Sequence, residues 1–201
     1  MQNLGTIDNT YTILANKDED SFSKTYLVRH NQTNINYLIE VFTNNIPANL
    51  INILTNLNAA NNPYIIHYVG NGNGPIVLNN NPPVNREYIV YENVSHSNLD
   101  SYLRGVDQRF SERQAKLIFK KILEGVRAMH NANICHRDLK PINILLDDNY
   151  NPKISFLYFS CINANNLQEI VGTRSYMAPE IILKKPYNGI KSDIISSIKI
   201  S

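Results

Sequence analysis

The sequence predicts an α+β fold in which a small antiparallel sheet carrying one helix precedes a mainly helical part. Two observations carry this. Short runs of β-branched and aromatic residues fill the chain from Tyr11 to Glu92, separated by clusters of Asn, Gly and Pro. A single long segment of helical periodicity then follows. With 201 residues, 43% hydrophobic and 18% charged, the chain suits one compact domain or two small lobes around a buried core.

The expected strands are "YTILAN", "KTYLVRH", "NYLIEVF", "YIIHYVG" and "EYIVYE", with "GNGNGP" and "NNNPP" read as the loops between them. One interruption, "ANLINILTNLN", sets Leu50, Ile53, Leu54 and Leu57 at helical spacing. The longest helix is expected from about Ser111 to Asn131. Ser111 and Gln114 form a capping box at its start, and Ala115, Ile118, Ile122, Val126 and Met129 recur every three to four residues as its buried face. Two short apolar runs follow, "NILLDD" and "PKISF", then an irregular segment to Ala178 and a final stretch to Ser201.

A formal net charge of +2 without a run of Lys or Arg argues against a nucleic-acid footprint and a polybasic membrane patch. The N-terminus lacks a basic start followed by an apolar run, and no apolar stretch approaches the ~18 residues of a membrane span, so a cytoplasmic or nuclear location is expected. Cys135 and Cys161 form neither a CxxC pair nor a disulfide framework, and both are expected as reduced thiols in packed or ordinary positions. The Asn clusters at 44–45, 61–62 and 79–81 fall in expected loops and are assigned no chemistry.

Residues 136–143, "HRDLKPIN", resemble the catalytic loop of eukaryotic protein kinases, and 172–180, "GTRSYMAPE", resembles the end of their activation segment. The resemblance runs from about Tyr11 onward and implies a two-lobed fold, 11–93 forming the small lobe and 94–201 a partial large lobe. Lys140 resembles the serine/threonine type, and "GTRSYMAPE" looks like the MAP kinase kinase group. Phosphoryl transfer needs a carboxylate at the attacking hydroxyl, cations on the phosphates and oxygen ligands for Mg²⁺. Asp138 could accept the hydroxyl proton, Lys140 could neutralise phosphoryl charge, and Asn143 could supply a metal ligand. By the resemblance, Thr173 would hydrogen-bond this Asp and Lys.

The nucleotide positions depart from the family pattern. Asp-Phe-Gly becomes Phe156-Leu157-Tyr158, replacing the principal Mg²⁺ ligand by a phenyl ring. Ala-Ile-Lys becomes Leu38-Ile39-Glu40, which turns the phosphate cation into an acid and adds bulk where adenine would lie. At ~4 Å and an effective dielectric of about 20 a unit charge pair is worth about 4 kcal/mol, so the reversed sign opposes nucleotide strongly. The Glu of the small-lobe helix aligns approximately with Leu50. In "KDEDSFSKT", Asp18, Asp20 and Ser23 stand for the glycines of the phosphate loop and Thr25 for the Val that covers adenine, which reads more simply as an acidic hairpin turn. In "IVYEN", Tyr91 takes the gate position and Glu92 begins the hinge, and Leu145 could form the pocket floor, although all three also suit ordinary strand positions.

The string "KPYNGIKSDIISS" resembles the start of the large lobe's central helix, with Asp193 at its acidic position and Ile195 and Ile198 where Trp and Gly are usual. The resemblance therefore implies truncation near the start of that helix, leaving apolar surface exposed unless a partner hides it. The leading expectation is an inactive pseudokinase with a degenerate ATP and Mg²⁺ site, no required cofactor and protein partners, such as another kinase or its substrate. The alternatives are an active serine/threonine kinase that uses Mg-ATP atypically, with Lys17 or Lys24 as substitute cation, or a non-functional fragment.

Overall fold

The computed structural model describes residues 4–79, 81–94, 97–105 and 110–200. Asn80, within one of the expected loops, lies outside them. The chain divides into two compact units, Met1–Pro47 with His67–Val94, and Ala48–Ile66 with Ser95–Ser201.

The first unit is an antiparallel barrel of six strands: β1 (Gly5–Ile7), β2 (Tyr11–Glu19), β3 (Ser23–His30), β4 (Asn36–Phe42), β5 (Tyr68–Leu78) and β6 (Val84–Glu92). The strand order is β1-β2-β3-β4-β6-β5, and β1 closes the ring by pairing with both β2 and β5. Strand β1 is too short for a pattern of alternation to reveal it. Gly5 makes the closure possible: its φ of 137° is hostile to a side chain, and a Cβ there would lie 1.9 Å from the Val77 carbonyl oxygen. The barrel interior is filled by Ile7, Ile13, Tyr26, Val28, Ile39, Val41, Ile76, Tyr88 and Val90.

The segment "GNGNGP", expected as a loop, is the middle of β5. Two of its three glycines, Gly72 and Gly74, answer packing rather than turn geometry. A Cβ on Gly72 would fall 2.4 Å from the Tyr88 hydroxyl, and one on Gly74 would fall 2.3 Å from the Asp8 carboxylate. The Tyr88 hydroxyl donates to that same carboxylate at 2.9 Å, and the two glycines leave room for the pair.

The second unit contains α1 (Leu50–Ala59), β7 (Ser97–Asn98), α2 (Leu99–Arg104), α3 (Glu112–Asn131), β8 (Ile134–Cys135), β9 (Ile144–Leu146), β10 (Pro152–Ile154), β11 (Cys161–Ile162), α4 (Pro179–Ile182) and α5 (Gly189–Ile198). Helix α1 buries Leu50, Ile53, Leu54 and Leu57, the face set by its sequence spacing. Sequence order places α1 among the barrel strands, yet its segment groups with the second unit. There the chain after it bonds to β10, Ile66 N–H to the Ile154 carbonyl at 2.9 Å and Ile154 N–H to the Tyr64 carbonyl at 2.8 Å. "YIIHYVG" is thus no single strand: its first residues serve β10, and β5 begins at Tyr68.

Helix α3 opens on the expected capping box between Ser111 and Gln114 and buries Ile118, Ile122, Gly125, Val126 and Met129. Ala115 is exposed in its first turn, ahead of the packed stretch. Strands β9 and β10 pair antiparallel, with β7 on the other side of β9, and β8 pairs with β11. These short ladders carry the loops that bear the conspicuous polar residues. Helix α5 is capped by Asn188, whose side chain accepts from Lys191 N–H at 3.0 Å. Large apolar side chains are exposed on this unit, among them Leu117 and Leu123 on α3 and Ile194 and Ile198 on α5. No described helix is long and apolar enough to cross a membrane.

Candidate functional site

In the second unit, the chain leaves β8, passes through 136–140, makes one 3-10 turn at Pro141–Asn143 and enters β9. The Asp138 carboxylate is buried and accepts three bonds: Thr173 N–H at 2.8 Å, the Asn143 side-chain amide at 3.0 Å and the Lys140 ammonium at 3.0 Å. Lys140 also donates to the Thr173 hydroxyl at 2.7 Å, and the Asn143 amide bonds the Asp138 carbonyl at 2.8 Å. The structure thus brings Asp138, Lys140, Asn143 and Thr173 into one network. A carboxylate beside a cation, with a hydroxyl and an amide oriented around it, is chemically able to orient an alcohol and take up its proton.

This network is held from behind by groups remote from any reacting atom. Asp193, buried on α5, accepts the N–H groups of His136 and Arg137, each at 2.8 Å, and faces His130 Nε2 at 3.0 Å. His136 bonds the Ser155 carbonyl through Nε2 at 2.9 Å and accepts from Asp138 N–H through Nδ1 at 3.1 Å. Ser155 donates to the Asn143 carbonyl through both its N–H and its hydroxyl. Gly172 has φ of 102°, and a Cβ there would meet the Arg137 carbonyl oxygen at 2.3 Å, so only glycine lets Thr173 reach Asp138.

Phe156 follows Ser155 with φ of 57°, a left-handed conformation uncommon for a bulky side chain. Its half-buried ring offers no oxygen donor. Leu145 is half-buried on β9, opposite Lys153 of β10 and Asn98 of β7. Among the described residues no group of three or more His, Cys, Asp or Glu side chains could hold a metal ion.

In the barrel, the residues singled out at the nucleotide positions share β3, β4, β6 and the β2–β3 hairpin. Glu40 is buried on β4, opposite Thr25 of β3 and Ile89 of β6. Its carboxylate accepts the Ser23 hydroxyl at 2.7 Å and the Tyr91 hydroxyl at 3.1 Å. Burial pushes the carboxyl up to about 7 from an ordinary 4.5; the two hydroxyls oppose this and Asp20 and Asp18 add to it. Leu38 is buried between Leu27 and Tyr91 on the neighbouring strands. The Glu92 carboxylate accepts His67 N–H at 2.8 Å, and the Glu92 N–H donates to the His67 carbonyl at 3.0 Å.

The hairpin is closed by its own acids. The Asp20 side chain accepts the N–H groups of Phe22 and Ser23 at 2.7 and 2.8 Å, and Asp18 accepts that of Glu19 at 2.9 Å. Backbone amides that a glycine-rich loop would offer to an anion are thereby directed to carboxylates of the same loop. Lys24 pairs with Glu19 at 2.8 Å, and Lys17 and Lys24 line an open groove of about 390 Å³ together with Asp18 and Glu19.

The family model for the protein kinase domain matches residues 19–197. The chain belongs to the protein kinase family. It is 29% identical over 194 residues to the serine/threonine-protein kinase pakH of Dictyostelium discoideum, a match covering 94% of this chain and 36% of that protein. It is 30% identical over 188 residues to CBL-interacting serine/threonine-protein kinase 13 of Arabidopsis thaliana, covering 88% of this chain and 35% of the relative. A shorter match, 41% over 97 residues, is to the liver/testis phosphorylase b kinase gamma catalytic chain of Bos taurus, covering 47% of this chain and 24% of that one. The kinase-family chain thus spans little more than a third of the relatives that it matches along most of its own length.

Sequence reasoning named the residues of the loop network, but it gave Asp193 and His136 no bonding role and missed Ser155. Nor did it pair Glu40 with Ser23 and Tyr91. The alternation of "NYLIEVF" already put Glu40 on the face of Leu38 and Phe42, which marks a buried carboxyl in need of donors.

Proposed function

We propose that this chain is a catalytically inactive kinase domain of the serine/threonine type that works through protein contacts rather than phosphoryl transfer. The observation that carries the proposal is Glu40, a buried carboxyl held by two hydroxyls at the position where the family pattern has its phosphate cation. Near neutral pH it offers a half-ionised acid in place of an ammonium, so it repels phosphate rather than drawing it. Phe156 and the self-capped hairpin support the same reading. The ring gives a hard cation nothing to bind, and Asp20 occupies loop amides that a nucleotide would need. The residues present therefore do not fit Mg-ATP, and no cofactor is required by this function. Partners are proteins, another kinase or a kinase substrate, rather than nucleic acid or membrane, and the location is the cytoplasm or nucleus.

A ligand at ~100 times its dissociation constant stabilises a fold by about 2.7 kcal/mol. Thermal melts in millimolar ATP, with and without Mg²⁺, are expected to be unshifted. Phosphotransfer that disappears on Asp138→Asn would overturn the proposal. The intact Asp138–Lys140–Thr173 network favours a second reading, an active serine/threonine kinase that binds Mg-ATP atypically. Such a kinase needs another cation; Lys24 already faces Glu19, and Lys17 shares its groove with Asp18 and Glu19.

A further inference from the structure

The sequence separates Cys135 and Cys161 by 26 positions, and the fold sets them side by side. They are direct partners in the antiparallel β8–β11 pair, and their sulfurs lie 3.3 Å apart, both as free thiols. Directly opposed residues in an antiparallel pair have Cα atoms about 4.5 or 5.5 Å apart, and both spacings fall within the range that a disulfide bridges. The two sulfurs need only approach by a little over ~1 Å to reach bonding distance, which rotation about the side chains can supply.

The two thiols differ in kind. Cys135 is fully buried under α5, so close to Gly189 that a Cβ there would fall 2.4 Å from its sulfur. Cys161 is half-buried and reachable. The hydrogen bond from Cys135 pulls the Cys161 thiol down to about 7, helped by the Arg137 guanidinium and opposed by burial, Glu169 and Asp193. That same bond, with burial, pushes Cys135 up. A reachable thiolate beside a sheltered thiol is the arrangement of an attacking and a resolving cysteine.

We propose that Cys135 and Cys161 form a peroxide-driven, reversible disulfide that clamps the segment carrying Asp138, Asn143 and Phe156. The Cys161 thiolate attacks one oxygen of hydrogen peroxide; the O–O bond breaks, giving a sulfenic acid and hydroxide, which takes up a proton and leaves as water. The Cys135 sulfur then attacks the sulfenic sulfur. An S–S bond forms, the S–O bond breaks, and the second water leaves with the thiol proton. Two thiols lose two electrons and one peroxide becomes two waters. The crosslink ties the strand before His136 to the strand after Phe159, fixing both ends of the polar loop network.

The test treats the purified full chain with hydrogen peroxide in small molar excess, counts thiols with a maleimide mass tag and maps peptides without reduction. The chain has two cysteines, so the count should fall from two to none, with one linked peptide pair spanning 135 and 161 and full recovery in dithiothreitol. The melting temperature of the oxidised monomer should rise by about 5–10 °C over the reduced form. Cys135→Ser, which keeps a hydroxyl donor beside Cys161 but cannot form the disulfide, should leave a sulfenic acid on Cys161 that dimedone traps, whereas Cys161→Ser should leave Cys135 unreactive in the folded chain. Two surviving thiols, direct passage of Cys161 to sulfinic acid in the unsubstituted chain, or linkage between chains on a non-reducing gel would each overturn the proposal.

Discussion

The acids of the loop network in the second unit and those of the barrel are both hydrogen-bonded, yet they are satisfied from different sources. Asp138 is surrounded by an ammonium, a side-chain amide and a backbone N–H, and Asp193 behind it takes two more backbone amides. Three of these five bonds come from backbone N–H groups and so also fix the path of the chain. In the barrel, Glu40 is met by two hydroxyls and, among the described residues, by no cation, and the hairpin acids bond the hairpin's own amides. Polar residues that brace backbone are needed to fold the loop whatever chemistry it performs. Residues whose task is to meet a phosphate can be exchanged once the new side chain finds donors nearby. The contrast gives a physical reason for residues 136–143 to match the kinase pattern more closely than residues 18–40 do.

Removing the brace should have the largest effect. Asp193→Ala leaves two buried backbone amides unsatisfied and His130 without its carboxylate, and is expected to cost about 3–5 kcal/mol in urea unfolding. A loss below ~1 kcal/mol would mean that the loop is held by something else.

Glu40 should behave in the opposite sense, and only at the right pH. Its carboxyl titrates at about 7 when folded against an ordinary 4.5, so its contribution is fully present below pH ~4.5 and is lost as pH rises through about 7. Glu40→Gln cannot ionise; its amide oxygen accepts one of the Ser23 and Tyr91 hydroxyls, and its NH2 donates to the oxygen of the other. It is expected to be neutral at pH 4 and to stabilise the chain by up to about 3 kcal/mol at pH 8. Denaturant midpoints for both chains between pH 4 and 8 check this; parallel curves would count against a buried, titrating Glu40.

Smaller effects are expected at the hairpin. Asp20→Ala removes two side-chain bonds to exposed or half-buried amides and should cost about 1 kcal/mol, read from thermal unfolding. The least effect is expected at Phe156. Phe156→Asp relieves a bulky residue at positive φ but forfeits ring packing, so stability should change by less than about 1 kcal/mol. Calorimetric titration of that variant with Mg-ATP should still give no heat of binding while Glu40 remains. Binding in the single variant would show that the metal position alone separates the two halves.

Particular elements mark how much could be read in advance. "NYLIEVF" is a strand to the residue, because β-branched and aromatic side chains fill the run and Asn-rich segments flank it. The capping box starts α3 because its bonds span only three residues. "GNGNGP" looks like a loop because glycine marks turns locally, while Gly72 and Gly74 answer the Tyr88–Asp8 pair, whose members are 80 positions apart. Among the candidate residues, Asp138, Lys140, Asn143 and Thr173 stood out by their pattern, and the structure adds the bonds among them. The partners of Glu40 lie 17 and 51 positions away, beyond any local signal.

The sequence by itself determined the α+β class, the family and the capping box of the longest helix, because periodicity, capping and motif spacing act over a few neighbouring positions. Tertiary structure alone decided the closure of the barrel by Gly5–Ile7, the grouping of Leu50–Ala59 with the second unit, the bracing by Asp193 and the meeting of Cys135 with Cys161. Each of these depends on residues far apart in the chain finding complementary bonds or room for close approach, and such meetings exist only once the chain is folded.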